Sequence, residues 1–218
     1  MTTHPHDRPA RRLVLLRHGR THWNHVRRAQ GHADVPLDEV GEAQARAVAP
    51  LVAALRPARL WSSDLPRARQ TADAVAAASG LHVEEDPRLR EFSVGERQGL
   101  TWDEAVERFP WTADGVGLGE QLRGVPGAES DEDVAGRVVP AVRELAAVLE
   151  PGETGVAVSH GAAIKLALVG LLGWDQAAAR TLAVLGNCQW TTVVLPEGRA
   201  PKLLDYGVGD FATREGIG

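Results

Sequence analysis

Two histidine tripeptides stand far apart in the chain, Arg17-His18-Gly19 and Ser159-His160-Gly161. Each directly follows a short apolar run, Leu13-Val14-Leu15-Leu16 in one case and Gly155-Val156-Ala157-Val158 in the other. A third such run, Leu60-Trp61-Ser62-Ser63, is followed by Arg67. Two histidines and two arginines gathered at helix N-termini would make an anion site. The planar guanidinium fork matches phosphate oxygens, and helix N-termini add free N–H groups and partial positive charge. A neutral imidazole in such a site can attack phosphorus and hold the phosphoryl group covalently, provided an acceptor fixes its tautomer. Phosphoryl transfer needs positioning and charge stabilisation above all, and these groups supply both without a metal. Asn24 offers a further neutral donor, and Glu91, in Arg88-Leu89-Arg90-Glu91-Phe92, offers a carboxyl. A partly buried carboxyl beside phosphate would be favoured in its protonated form. It could give a proton to the leaving alkoxide and then activate water against the phosphohistidine.

These residues lie in distant segments, so the elements between them must bring them together. Short, uninterrupted apolar runs read as strands buried on both faces, as in a parallel sheet. Strands are expected at Leu13–Leu16, Leu60–Ser63, Val83–Glu85 and Gly155–Ser159, with two closing strands at Trp190–Leu195 and Lys202–Tyr206 around a Pro-Glu-Gly turn. Asp38 is expected to cap a helix running to Leu55, with Ala43, Ala47, Leu51, Ala54 and Leu55 as its apolar stripe and Pro50 as a kink or break. Asp64 is expected to cap a helix from Pro66 to Ala78 ended by Gly80. Further helices are expected over Ser130–Leu149 and from Gly161 to Leu172. Residues 92–128 are rich in Gly and Pro and read as an irregular insertion with one short helix near Trp102–Phe109. Alternating strands and helices make this an α/β protein, and in such sheets ligands bind beyond the carboxyl ends of the strands. That rule sends Arg17, His18, Ser62, Ser63, Arg67, Ser159 and His160 to one edge.

Composition narrows the functions open to the chain. With 218 residues, 44% hydrophobic and 24% charged, it suits one filled domain over residues 12–218 behind a disordered tail, residues 1–11. The net charge is −5, and there is no global basic surface for nucleic acid. Lys165 and Lys202 are the only lysines, so a phosphate site must be built from arginine. Cys188 stands alone, which precludes an intrachain disulfide and fits a reducing compartment. The polar N-terminus lacks the apolar core of a signal peptide, and the longest apolar stretch, Leu166–Gly173, is too short to span a bilayer. The expected location is the cytoplasm, with neither membrane nor nucleic acid as partner.

At this point the motifs, taken in order, resemble the histidine phosphatase (phosphoglycerate mutase-like) superfamily. The resemblance is carried by Leu15-Leu16-Arg17-His18-Gly19-Arg20-Thr21-His22-Trp23-Asn24, Gln30-Gly31, Asp34-Val35-Pro36-Leu37, Gly41 with Gln44-Ala45, and Ser62-Ser63-Asp64-Leu65 with Arg67-Ala68 and Gln70-Thr71-Ala72. It continues through Leu89-Arg90-Glu91, Gly99-Leu100, Gly127-Ala128-Glu129-Ser130 and Ser159-His160-Gly161. It implies a three-layer α/β/α sandwich with a mostly parallel central sheet, and a reaction without metal or other cofactor. It further implies His18 as the phosphorylated nucleophile and Glu91 as the proton donor. His160 joins them and also binds the phosphoryl group, with Arg17, Arg67, Asn24 and Gly161, and Gln30 and Thr21 lie toward the substrate.

Mutases of the family carry a basic insertion after the acid. Here residues 92–128 hold no Lys and no Arg-Arg pair, only Arg97, Arg108 and Arg123, which favours a phosphatase over a phosphoglycerate mutase. The expected substrate is a small phosphorylated metabolite such as a sugar phosphate. Gly186-Asn187-Cys188-Gln189-Trp190-Thr191 is similar to the segment found in phosphatases of glucosyl-3-phosphoglycerate, although α-ribazole phosphatases share most motifs. Trp102, Phe109, Trp111 and Leu118 would wall the pocket or form a small local core. Two rival readings use the same residues: a zinc site on His18, His22 and His25, disfavoured by the neighbouring Arg17 and Arg20, and a phospho-ligand module without catalysis. A homodimer through the C-terminal strands is plausible, since sheet edges invite pairing.

Overall fold

The computed structural model describes residues 8–209 apart from residues 116, 176, 177 and 179. Most of the expected N-terminal tail, with His4 and His6, lies outside the described residues, as does the segment 210–218. Six strands form one sheet: β1 (Arg11–Arg17), β2 (Arg59–Ser62), β3 (Val83–Glu85), β4 (Thr154–Ser159), β5 (Trp190–Leu195) and β6 (Lys202–Val208). Their spatial order is β3-β2-β4-β1-β5-β6. The four strands β3, β2, β4 and β1 run parallel, and β5 and β6 close the sheet antiparallel.

Strand β1 shows why the sheet lies at the centre. Its four apolar side chains alternate between faces and all are buried. Leu13 and Leu15 pack with α6 (Asp131–Ala147) and α7 (Gly161–Leu172), while Val14 and Leu16 pack with α2 (Glu39–Ala54) and α3 (Pro66–Ser79). Each such burial contributes about 1.5–3 kcal/mol against an extended chain, an upper bound. A strand apolar on both faces needs helices on both, and the result is the expected α/β/α sandwich.

Three expectations about the helices are corrected. The buried face of α2 is Gly41, Ala45, Val48, Ala49 and Val52, whereas Ala43, Ala47, Leu51 and Ala54 of the expected stripe face solvent and Leu55 is half-buried. Small residues at 41, 45 and 49 allow close approach, and this outweighs the raw hydrophobicity of Leu51. The helix also runs on through Pro50 without the break that the proline allowed, as α6 does through Pro140. Both prolines are exposed, so the carbonyls they leave unpaired can turn to water. Finally, Asp64 does not cap α3. Leu65 is the N-cap residue, and Asp64 instead holds the Arg90 guanidinium with both oxygens.

The insertion is more ordered than its composition suggested. It contains α4 (Trp102–Arg108), started by a Thr101–Glu104 capping box, a 3₁₀ turn over Pro110–Asp114, and α5 (Leu118–Leu122). Phe109 is buried as local core, its ring centroid 5.7 Å from that of Trp111, which is half exposed and donates its Nε1–H to the Arg123 carbonyl; Trp102 and Leu118 line cavities instead.

Candidate active site

Register alone brings the two histidines together. Arg17 pairs with Ser159 across β1 and β4, so His18 and His160 are the next residue on neighbouring parallel strands. The His18 N–H continues the ladder to the Ser159 carbonyl at 3.0 Å, and the imidazole centroids are 5.1 Å apart. β2 adds Ser63 through its N–H to the Val158 carbonyl, and α3 then delivers Arg67.

The loop after His18 is pressed against the start of α2. A Cβ on Gly19 would lie 2.6 Å from the Gly41 carbonyl oxygen, and one on Gly41 would lie 1.9 Å from the Arg20 carbonyl oxygen, so neither position admits a side chain. Side chains then lock the loop. Gln44 accepts from the Arg20 N–H, Asp38 binds the Arg20 guanidinium while capping α2, and Asn187 donates to the His18 carbonyl at 3.0 Å. The Cys188 N–H also reaches the carbonyls of Arg17 and His18.

His18 is buried, and its Nδ1 lies 2.7 Å from the Gly19 carbonyl oxygen. A carbonyl can only accept, so Nδ1 carries the proton and Nε2 keeps its lone pair. Burial, and then the positive charges of Arg67 and Arg17, hold the imidazole well below the usual histidine range. It is therefore neutral at neutral pH, as a nucleophile must be.

Around it, Arg17 donates to the Leu185 carbonyl while its buried Nε has no partner. Arg67 is fully enclosed; it donates to the carbonyls of Gly31 and Ala33 and from Nε to His160 Nδ1. Burial brings its pKa down to about 10, with Glu91 opposing the shift, and the group stays cationic at neutral pH. Three of its five N–H donors are thus spent within the protein, and two remain. Asn24, in α1 (His22–His25), accepts from the N-cap residue Thr21 through Oδ1, which leaves its NH2 without a partner among the described residues. Asn24 thus acts as a cap partner and keeps its NH2 open to an acceptor.

Glu91 sits beneath α7. Its carboxylate accepts from the N–H groups of Ala162 at 3.1 Å, Ala163 at 3.0 Å and Phe92 at 3.1 Å. Sequence reasoning expected a partly buried carboxyl beside phosphate; the groups that the structure places around it are backbone donors. Its backbone is held equally firmly. The Glu91 carbonyl accepts from Arg137 Nη2 at 2.7 Å and lies 2.8 Å from His32 Nε2. Arg137 also reaches the Arg88 and Arg90 carbonyls and forms a two-point ion pair with Glu129.

Arg17, His18, Asn24, Gln30, Arg67 and Glu91 line one cavity of about 320 Å³, within the range of small-molecule sites. Two expected roles fare differently. Thr21 is fully buried, its hydroxyl engaged by the Asn24 N–H and by Gln30, so it does not reach the cavity. His160 has both ring nitrogens occupied, Nδ1 by Arg67 and Nε2 by Ser63 Oγ at 2.9 Å, so it orients Arg67 and offers no ring nitrogen to a phosphoryl group in this arrangement. Gly161, the first residue of α7, has an N–H without a partner among the described residues. No group of three metal-ligating side chains occurs among the described residues. Sequence reasoning gave no role to Arg97, which lines the cavity, nor to Arg137, Glu129 and Asn187, although Glu129 and Asn187 lie in segments that carried the resemblance. All four act through the folded geometry of segments that read as loop or plain helix surface.

A neutral, tautomer-fixed histidine facing arginine donors and a carboxyl beyond the ends of parallel strands has the chemistry that phosphoryl transfer requires. The comparisons agree. Residues 13–208 match the family model of the histidine phosphatase superfamily (branch 1). A glucosyl-3-phosphoglycerate phosphatase of Mycobacterium tuberculosis is 39% identical over 194 residues, covering 84% of each chain. A probable phosphoglycerate mutase GpmB of Yersinia pestis is 38% identical over 182 residues, covering 83% of each. The solved structure of a mycobacterial glucosyl-3-phosphoglycerate phosphatase in complex with VO3 superposes with a TM-score of 0.79 at 35% identity, covering 92% of this chain and all of that one. The chain belongs to the histidine phosphatase superfamily.

Proposed function

We propose that the protein is a phosphomonoester hydrolase acting through phosphohistidine at His18, with glucosyl-3-phosphoglycerate as its substrate. The observation that carries the mechanism is the His18 Nδ1 contact to the Gly19 carbonyl, which fixes Nε2 as an unprotonated nucleophile. Arg17, Arg67, Asn24 and the N-terminus of α7 receive the phosphoryl oxygens. Nε2 attacks phosphorus, the P–O ester bond breaks, and protonated Glu91 transfers its proton to the leaving alkoxide. Water then attacks the phosphohistidine and gives a proton to the Glu91 carboxylate. The P–N bond breaks, and phosphate leaves with His18 neutral again. The substrate is supported by the mycobacterial relatives and by the Asn187 segment, whose amide holds the His18 carbonyl.

Phosphate release in EDTA from glucosyl-3-phosphoglycerate, 3-phosphoglycerate and an aryl phosphate tests both parts. Preferred hydrolysis of the glucosyl compound is expected. Conversion of 3-phosphoglycerate to its 2-isomer without net phosphate release would overturn the phosphatase reading in favour of a mutase, and chelator sensitivity would overturn the mechanism.

A further inference from the structure

Arg97 is the anomaly of the site. It ends a 3₁₀ turn (Gly95–Arg97), and the residue is buried, only 7% exposed. Its Nε and Nη1 are buried with no hydrogen-bond partner, and among the described residues it forms no ion pair. Other arginines of the chain are matched: Arg28, on the same cavity, with Glu104, Arg90 with Asp64, and Arg137 with Glu129. Glu96, the adjacent carboxylate, pairs with Arg108 on the surface. Arg97 instead lies over the Trp102 ring, 4.9 Å from its centroid, and faces the same cavity as His18.

A guanidinium cannot shed its charge, and burying an unpaired charge costs several kcal/mol. Such a cost persists where a ligand supplies the partner. The backbone around Arg97 is tied down, with the Leu100 N–H on its carbonyl and the Gly99 N–H on the Ala29 carbonyl. The phosphoryl site already has its own arginines. Arg27 and Arg28 also line the cavity, Arg28 already paired with Glu104, and no lysine among the described residues lines it. The guanidinium edge of Arg97 offers a two-point, singly charged match to a carboxylate.

We infer that Arg97 binds a carboxylate of the substrate, so that the enzyme selects phosphate esters of hydroxy acids over neutral sugar phosphates. The inference rests on the phosphatase reading above and narrows its substrate class. Trp102 holds the guanidinium plane toward the cavity, and a carboxylate there accepts hydrogen bonds in the planar, two-point manner arginine favours.

The test is a ratio of kcat/KM between 3-phosphoglycerate and glycerol 3-phosphate, which differ in the carboxylate, measured for the wild type and for Arg97→Met. A charge-assisted contact predicts a wild-type preference of about 10- to 100-fold that falls to within about threefold in the variant. Arg97→Met is also expected to melt no lower than wild type, since it removes an unpaired buried charge. A wild-type ratio near one, which needs no variant, would overturn the inference. So would a ratio that survives in Arg97→Met, whatever happens to the absolute rates. Failure of the glucosyl assignment shows separately, as absence of preference for the glucosyl ester over 3-phosphoglycerate while the carboxylate ratio stands.

Discussion

Replacing Glu91 with glutamine separates the two jobs assigned to that side chain. The carboxylate accepts three backbone N–H bonds, two of them from the first turn of α7. Glutamine keeps the shape but turns an NH2 toward one of those donors, leaving at least one buried N–H unsatisfied. That costs about 1–3 kcal/mol, or a melting temperature lower by about 2–12 °C for a chain of this size. The fold should survive, because typical domains hold about 5–15 kcal/mol. Loss of the proton donor should lower kcat/KM by about 10²–10⁴ for an alkyl ester, which is about 3–5 kcal/mol of barrier. An aryl phosphate, whose leaving group needs no proton, should keep its kcat/KM within about tenfold. Its turnover should nonetheless slow, since the carboxylate is also needed to hydrolyse the phosphohistidine. Stopped-flow mixing should therefore show a burst of aryl alcohol equal to the enzyme concentration, followed by a slow steady phase. Equal losses of kcat/KM on both esters, with no burst, would refute the assignment and make Glu91 a brace for α7.

His18→Ala should abolish turnover and the acid-labile phosphoenzyme while leaving the circular dichroism spectrum unchanged; residual turnover near wild type would remove His18 as nucleophile. His18 and His160 are both held neutral in the fold, by burial first and then by Arg67 and the charges beyond it, so below about pH 6.5 the unfolded chain binds more protons than the native one. Stability should thus be full above that pH and fall below it by up to about 1.4 kcal/mol per unit for each histidine, and denaturant midpoints that stay flat toward about pH 5 would contradict the burial of both rings. Arg137→Met should cost about 3–5 kcal/mol, because it breaks a largely enclosed pair with Glu129 and releases three carbonyls, whereas Arg108→Met on the exposed pair with Glu96 should cost about 0–1 kcal/mol. Equal chemical-denaturation midpoints for the two variants would refute that distinction.

The parallel strands and their order of chemistry could be read from the chain because a strand buried on both faces leaves an unbroken apolar run, and the residue after it must lie at the sheet's edge. That reasoning found His18, His160 and Arg67 before any contact was known. It chose the wrong face of α2 because hydrophobicity alone favours Leu51, while the packing favours the small residues Gly41, Ala45 and Ala49 that let the helix approach the sheet and the Gly19 loop. It gave Asp64 to a helix cap because an acid before Pro66 fits one, and only the fold shows Arg90 arriving from another segment. Arg97 and Arg137 could not be singled out, since what sets them apart is one guanidinium without partners and one with all of them, and pairing is a property of three dimensions.

Cys188 puts a natural probe beside the nucleophile. Its backbone sits in a left-handed conformation with φ 56°, its N–H bridges the Arg17 and His18 carbonyls, and burial pushes its thiol up to about 12 despite the nearby Arg17. The folded thiol is thus both shielded and protonated, and modification must await an opening of the loop that carries His18. As the chain's single thiol, it makes the rate of alkylation a clock for that opening, readable by mass without any introduced label. Because the clock is tied to the carbonyls on either side of the catalytic position, an anion that tightens the phosphoryl site should slow it, and the retardation would report occupancy even for compounds the enzyme never turns over.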